Sequence, residues 1–499
     1  MTKLASALLA GASLLAASQA FAQEALPQIN DSYFKQAEAE LQKIIDRKPN
    51  TGKAKNVILF VGDGMSIPTI TASRIFDGQK KGVDGESNKL SFEELPYVAL
   101  SKTYTHDAQV ADSAPTATAM VTGVKSSNGT IGVSQNAKYE DCSTVKGNEV
   151  TSIFEQAEKA GLSTGVVSTA RITHATPAST YAHTVNRDLE NDSQVKEAAD
   201  QGCKDIAAQL VDWPAGNGFE VILGGGRSNF MLESQADPEA ADKMGARKDG
   251  RDLIKDWQAK YNDGAYVWNK AEFDAIDPAK TGHLFGLFER SHMQYDTDRA
   301  KDKGGEPSLA EMTTKAIDML SKDEDGYVLM IEAGRIDHAH HAGNAYRALQ
   351  DTVALSDAVK AALAKVNQDD TLVIVTADHS HVFSIAGYPK RNNPILGIAG
   401  EGDDKKPYTT LGYMNGPGAK LDEQRADLKD VDTQDPDFLQ QALVPLGESE
   451  THAGDDVAIL AQGPWAHLFQ GIVEQNMIYH VMAKATEMAS KPQKQASAQ

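Results

Sequence analysis

Val57-Ile58-Leu59-Phe60-Val61 runs directly into Gly62-Asp63-Gly64. Five apolar residues without a polar interruption suit a strand buried on both faces. The glycines that follow permit a tight turn and leave Asp63 at the carboxyl end of that strand. Four more short runs share the character: Thr164–Ser168, Val221–Leu223, Tyr327–Ile331 and Leu372–Thr376. Helical patterns separate several of them, at Thr151–Ala160, Asp205–Val211, Ser308–Ser321 and Tyr346–Val366. Buried strands alternating with helices predict an α/β fold: a doubly wound, mostly parallel central sheet with helices on both faces. No internal repeat recurs at a fixed period.

Composition supports a globular protein. Of 499 residues, 41% are hydrophobic and 24% charged, which excludes disordered, collagenous and coiled-coil chains. The formal net charge of −21 repels nucleic acid and anionic membrane, so general binding to either is excluded. An anionic substrate therefore needs a local positive site, which bound metal supplies.

Lys3, the apolar run Leu4–Leu15 and Ala20-Phe21-Ala22 compose a signal peptide over 1–22. That run is shorter than the roughly 20 residues needed to span a bilayer. Export to the periplasm or medium follows, with no membrane anchor. Cleavage removes one lysine and no acid, moving the charge from −21 to −22. Cys142 and Cys203 are the only cysteines. In an oxidising compartment one disulfide is the first reading, with two buried thiols or half of a metal site as alternatives. Residues 23–52 form an N-terminal helical arm, in which Phe34, Ala37, Leu41, Ile44 and Ile45 make one stripe. Residues 228–300 are a polar accessory excursion, 383–450 an irregular insertion or long lid, and 489–499 a flexible tail. The main domain then comprises 53–382 and 451–488.

Strand ends carry the chemistry, because ligands in open parallel sheets bind beyond the carboxyl ends of the strands. Asp63 follows the first run. Glu332, Asp337, His338 and His341 follow Tyr327–Ile331, and Asp378-His379 follows Leu372–Thr376. Thr164–Ser168 leads to Arg171, His174, Thr176 and, further on, Arg187. A single Asp after a strand is usually a turn or cap residue. Three such deliveries that include histidine are not explained that way. Asp337 and His341, four apart on a helix, project from one face and suit zinc, although a surface pair has the same spacing. His338 and His340 cannot both join them at one ion. With Asp378, His379 and His452 there are ligands for two cations, whose charge would clamp a phosphoryl transfer.

Asp112-Ser113-Ala114-Pro115 offers a nucleophile where small residues begin a helix and Pro115 falls in the tolerated first turn. Taken alone, Ser113 reads as an ordinary N-cap. Gly224-Gly225-Gly226 lacks dinucleotide-binding spacing and reads as a tight turn, as does Asn128-Gly129-Thr130.

At these residues the chain resembles the alkaline phosphatases, nearest the animal-type branch. The blocks are Phe60-Val61-Gly62-Asp63-Gly64-Met65, Asp112-Ser113-Ala114, His174-Ala175-Thr176-Pro177, Tyr181 through Arg187, Ile336-Asp337-His338, Thr376 through His381, and Glu450 through Gly454. The resemblance implies zinc-dependent hydrolysis of small phosphate monoesters through a phosphoserine at Ser113. It implies one zinc on Asp337, His341 and His452, and a second on Asp63, Asp378 and His379. A magnesium would share Asp63 with Thr176 and Glu332. Arg187 would clamp the phosphate, with His174 and His338 reaching it through water. A calcium-type site is implied at Glu239, Phe288, Glu289 and Glu306. The resemblance also implies a Cys142–Cys203 disulfide, a homodimer in which the N-terminal helix is an arm, and a crown-like role for 383–450.

A sulfatase or phosphodiesterase on the same metal-bearing sheet is the nearest competing enzyme. Its nucleophile motif is only echoed at Ser113-Ala114-Pro115-Thr116-Ala117, where Ala117 replaces the expected arginine. A non-catalytic phosphate- or metal-binding protein would leave Ser113 idle.

Overall fold

A computed structural model describes residues 26–195, 201–421 and 425–488. The signal peptide and the tail therefore lie outside the described residues. The chain comprises two compact units, divided between Lys48 and Pro49. In the first, a short turn at Pro27–Asn30 precedes a helix over Ser32–Asp46. Asp31 starts that helix by accepting the Tyr33 and Phe34 N–H groups, as an N-cap does.

The second unit is built on one ten-stranded sheet. Its first eight strands in chain order are β1 (Asn56–Gly62), β2 (Tyr97–Lys102), β3 (Ser163–Arg171), β4 (Val221–Gly225), β5 (Gly264–Val267), β6 (His283–Leu287), β7 (Tyr327–Ala333) and β8 (Thr371–Thr376). Seven short strands follow outside it: β9 (Ser380–His381), β10 (Phe383–Ile385), β11 (Ile398–Glu401), β12 (Pro407–Thr409), β13 (Leu411–Gly416), β14 (Ala442–Pro445) and β15 (His452–Ala453). The chain then returns to the large sheet as β16 (Val457–Gln462) and β17 (Gly471–Glu474). The order is β17-β2-β16-β8-β1-β7-β3-β4-β6-β5. All neighbours run parallel except β16, which is antiparallel to both β2 and β8.

The five expected strands form the sheet's centre, and alternation along them supplies a core on each face. Val57, Leu59 and Val61 of β1 pack into one apolar cluster, while Ile58 and Phe60 enter the other. Each such fully buried side chain contributes about 1.5–3 kcal/mol. The helices over Leu309–Leu320 and Ala345–Lys365 bury their apolar stripes in the second cluster. Segment 228–300 is no mere excursion, because it supplies β5 and β6 and widens the sheet.

Within 383–450, β10, β13 and β14 make a three-stranded sheet, and β11 pairs with β12. The pairing of β15 with β9 joins His452 to His381 and Ala453 to Ser380. Tyr413 and Phe383 of the small sheet reach the second core cluster. Cys142 and Cys203 form a disulfide that closes a sequence separation of 61 residues.

Candidate active site

Four central strands deliver side chains to one rim. β1 leads directly into Asp63, whose placement depends on Gly64: φ is +66° there, and a β-carbon would collide with the His381 ring. β7 carries Glu332 and feeds the helix Arg335–His341. β8 leads into Asp378-His379, and β3 leads through Arg171 to His174 and the short helix Ala175–Ala178.

The first trio is Asp337, His341 and His452. His341 Nε2 lies 3.4 Å from Asp337 Oδ1, and His452 Nε2 lies 3.3 Å from the same oxygen. The two Nε2 atoms are 3.1 Å apart. A tetrahedral ion with ligands at ~2.0–2.1 Å separates its ligand atoms by about 3.3 Å, so this triangle fits one face of such an ion. The tautomers agree. Nδ1 of His341 donates to the Glu450 carbonyl at 2.7 Å, and Nδ1 of His452 donates to the Ala111 carbonyl at 2.7 Å. Both Nε2 atoms therefore present lone pairs to each other, an arrangement that a cation between them makes favourable.

The second trio is Asp63, Asp378 and His379, all fully buried. His379 Nε2 lies 3.4 Å from Asp63 Oδ1 and 3.2 Å from Asp378 Oδ2. Ser113 Oγ is 3.1 Å from the same nitrogen, in the position of a fourth corner. The other Asp378 oxygen accepts the Gly64 and His379 N–H groups, each at 2.9 Å. Asp378 Oδ2 and both Asp63 oxygens are buried without a hydrogen-bond partner. Buried carboxylate oxygens of this kind are costly unless a cation satisfies them. The rings of His379 and His452 stack 3.6 Å apart, which sets the trios side by side.

Asp63 also groups with His174 and Glu332 as a third set of converging ligands. Thr176 Oγ1 and one Glu332 oxygen are buried and unpartnered, while Ser168 donates to the other Glu332 oxygen. An oxygen-rich set of this type suits a hard cation.

Ser113 opens the helix Ser113–Thr122, but the cap is Asp112, which accepts the Ala114 N–H at 2.7 Å. The N-cap reading of Ser113 is thereby corrected. Its hydroxyl is released from capping and faces His379. Pro115 occupies the first turn, where its missing N–H costs nothing. Asp112 also pairs with Arg187, at 3.0 Å from NH1, while NH2 of Arg187 lies 2.9 Å from His174 Nε2. The turn at Gly129 serves both partners, since its N–H meets Asp112 and its carbonyl accepts the Arg187 N–H at 2.8 Å. His338 stands 5.3 Å from His174 between ring centres.

The electrostatics reflect anions gathered out of water. Burial, with Asp378, Asp337 and Glu332 nearby, raises Asp63 well above the ordinary carboxylate range. Burial raises Asp378 and pushes Glu332 up to about 7. Against its own burial, Asp337 is held well below the usual value by His341, His381 and His452. Burial lowers His379 and His174, and brings His338 down to about 3.

Several contributors escape a reading of strand ends. His381 bridges Asp337 and Glu450 at 2.7 Å on each side, and against burial these two carboxylates push it up to about 10. Its link to Glu450 spans 69 residues and is purely tertiary. His292 enters from the loop after β6, a strand hidden in the polar stretch. The acidic group also has a neighbour that the sequence did not point to. Glu239 and Glu289 converge with Asp302, whereas Glu306 accepts the Gln294 N–H at 3.0 and 3.2 Å. Phe288 is fully buried beside Glu289.

Residues 54–488 match the family model described as alkaline phosphatase. The chain is 47% identical over 445 residues to the alkaline phosphatase of Gadus morhua, covering 87% of this chain and 92% of that protein. It is 46% identical over 467 residues to the tissue-nonspecific isozyme of Mus musculus, covering 91% and 88%. Among solved structures, the alkaline phosphatase from the Antarctic bacterium TAB5 aligns with a TM-score of 0.60 and 26% identity, over 88% of this chain and 99% of that one.

Proposed function

The chain belongs to the alkaline phosphatase family and is a phosphoric monoester hydrolase; from that premise we propose that it works through a phosphoserine at Ser113 between two zinc sites and one magnesium site. The observation that carries this reading is the pair of adjoining trios with ligand separations of 3.1–3.4 Å, the second of which has the Ser113 hydroxyl 3.1 Å from His379 Nε2. Asp337, His341 and His452 would hold one zinc, and Asp63, Asp378 and His379 the other. Magnesium would take Asp63, Thr176 and Glu332. When bound, the cations lower the pKa of coordinated oxygen and supply the positive charge that an acidic chain lacks.

Arg187 presents a guanidinium already held in plane by Asp112 and His174, ready to fork two phosphate oxygens. His174 and His338 approach the same oxygens through water. Ser113 Oγ attacks phosphorus, and the alcohol leaves on the opposite side, toward Asp337, His341 and His452. Water then enters from that side and displaces Ser113, releasing inorganic phosphate. Since these residues grip phosphate alone, a broad range of small monoesters is accepted.

The remaining assignments belong to the same reading. Residues 1–22 are a cleaved signal peptide, and the protein acts in the periplasm or outside the cell. The arm over 23–52 serves a homodimer, and 383–450 is the crown-like insertion on the domain made of 53–382 and 451–488. The group around Glu239, Phe288, Glu289 and Glu306, with Asp302 added, holds calcium.

The test is Ser113→Ala, assayed with p-nitrophenyl phosphate and by elemental analysis. Loss of turnover with both zinc ions retained is expected. Unchanged hydrolysis in that variant would refute the phosphoserine, and a preference for the sulfate ester would reassign the substrate.

A further inference from the structure

Three imidazoles meet beside the Arg187 guanidinium, whose NH2 reaches the first of them, His174, at 2.9 Å. One ring nitrogen from each of His174, His292 and His338 lies within 4.8 Å of the other two. His292 and His338 have ring centres 4.0 Å apart, and each of them lies 5.3 Å from His174. They arrive from separate elements: His174 follows β3, His338 rides on the helix after β7, and His292 follows β6.

Two observations point to a ligand. Nδ1 of His174 and Nδ1 of His338 are buried with no hydrogen-bond partner. Since Arg187 NH2 donates to Nε2 of His174, that ring carries its proton on the unpartnered Nδ1. His292 is also poorly served. Its Nδ1 meets the Arg171 backbone N–H at 3.2 Å and its Nε2 meets Arg171 NH1 at 2.5 Å, yet a neutral ring can accept from only one donor. Whichever contact is the hydrogen bond, the other sets N–H against N–H and leaves one His292 nitrogen poorly served.

We propose that His174, His292 and His338 form a further cation site, selective for a borderline transition ion such as Zn2+ or Cu2+, whose occupation inhibits the enzyme. Three imidazole nitrogens and no carboxylate suit these ions and disfavour Mg2+ and Ca2+, which take oxygen. A tetrahedral ion held by the three rings would bring their nitrogens to about 3.3 Å of one another. Of the nearby guanidinium groups, Arg171 pairs with Glu190 at 2.7 Å and Arg187 with Asp112 at 3.0 Å, while Arg335 lies 3.7 Å over the Tyr295 ring. Inhibition follows because a bound ion needs the His174 ring turned, and turning it removes the contact that orients Arg187. That consequence rests on the phosphate-clamping role of Arg187, whereas the binding itself does not.

The experiment uses protein loaded with its resident metals, then dialysed against increasing Zn2+ and measured for bound metal and monoester hydrolysis. Wild type is expected to take up one additional equivalent while activity falls. His292→Asn should keep its resident ions and its hydrolysis at low zinc, lose the additional equivalent, and need at least about tenfold more zinc for inhibition. An equal uptake and equal inhibition in His292→Asn would overturn the site, placing any inhibition at Asp63, His174 and Glu332. Uptake without inhibition would uphold the cation site and remove its regulatory role. Substoichiometric Cu2+ added to the loaded wild type provides a reading independent of the variant's folding. An electron paramagnetic resonance signal split by several imidazole nitrogens supports the site, and an oxygen-only signal refutes it.

Discussion

Replacing Arg187 by lysine isolates the value of a planar fork from the value of its charge. In the folded protein NH1 is 3.0 Å from Asp112 and NH2 is 2.9 Å from His174, so the guanidinium plane is fixed before phosphate arrives. A lysine ammonium keeps the charge but is a single point and cannot engage two phosphate oxygens while held by those partners. The variant thus loses at least one charge-assisted hydrogen bond, worth about 1.5–3 kcal/mol. Expressed in the transition state, that is roughly a 10- to 150-fold fall in kcat/KM. Arg187→Ala should fall further, because it also leaves Asp112 without its partner. Steady-state hydrolysis of p-nitrophenyl phosphate measures the effect, with elemental analysis confirming that metal content is unchanged. Inhibition by inorganic phosphate should weaken in parallel. A lysine variant within about twofold of wild type, metals intact, would show that the fork does not hold the reacting phosphate.

The Cys142–Cys203 bridge constrains 61 residues of chain, and chain entropy assigns it about 4 kcal/mol. For a unit of this size, replacing both cysteines by serine should lower the melting temperature by about 4 °C in calorimetry; no change would assign the bridge no role in stability. Burial pushes Glu158 from its ordinary 4.5 up to about 8, so the folded state favours the protonated form. The unfolded chain releases that proton near 4.5, so stability from this group is full below that pH and is lost progressively toward pH 8. Glu158→Gln should therefore flatten the decline in denaturant midpoint between about pH 5 and 8, where each unit is worth roughly 1.4 kcal/mol. An unaltered slope would contradict the neutral carboxyl.

The sheet's centre was legible because its strands are buried on both faces and show unbroken apolar runs. Val57–Val61, Tyr327–Ile331 and Leu372–Thr376 each announce themselves, and the acids and histidines after them converge as strand-end placement requires. The sheet's flanks were not. β2 exposes Val98, β17 exposes Ile472, and β5 is half-buried, so their sequences lack the central signature. Overlooking β6 hid His292, although the same strand-end rule would have found it. Asp112 and Ser113 are adjacent and both can cap, and the folded geometry assigns capping to the carboxylate. Asp302 enters the acidic group through a loop whose path is set by tertiary contact. His381 and Glu450 support the first trio through a pairing that joins distant segments, and no local pattern encodes it.

Anomalous diffraction at the zinc edge, on crystals of the purified metal-loaded protein, tests the paired cations most directly. Two peaks about 4 Å apart are expected, one among Asp337, His341 and His452 and the other among Asp63, Asp378 and His379 within reach of Ser113. A single peak, or zinc bound away from these six side chains, would contradict the paired site.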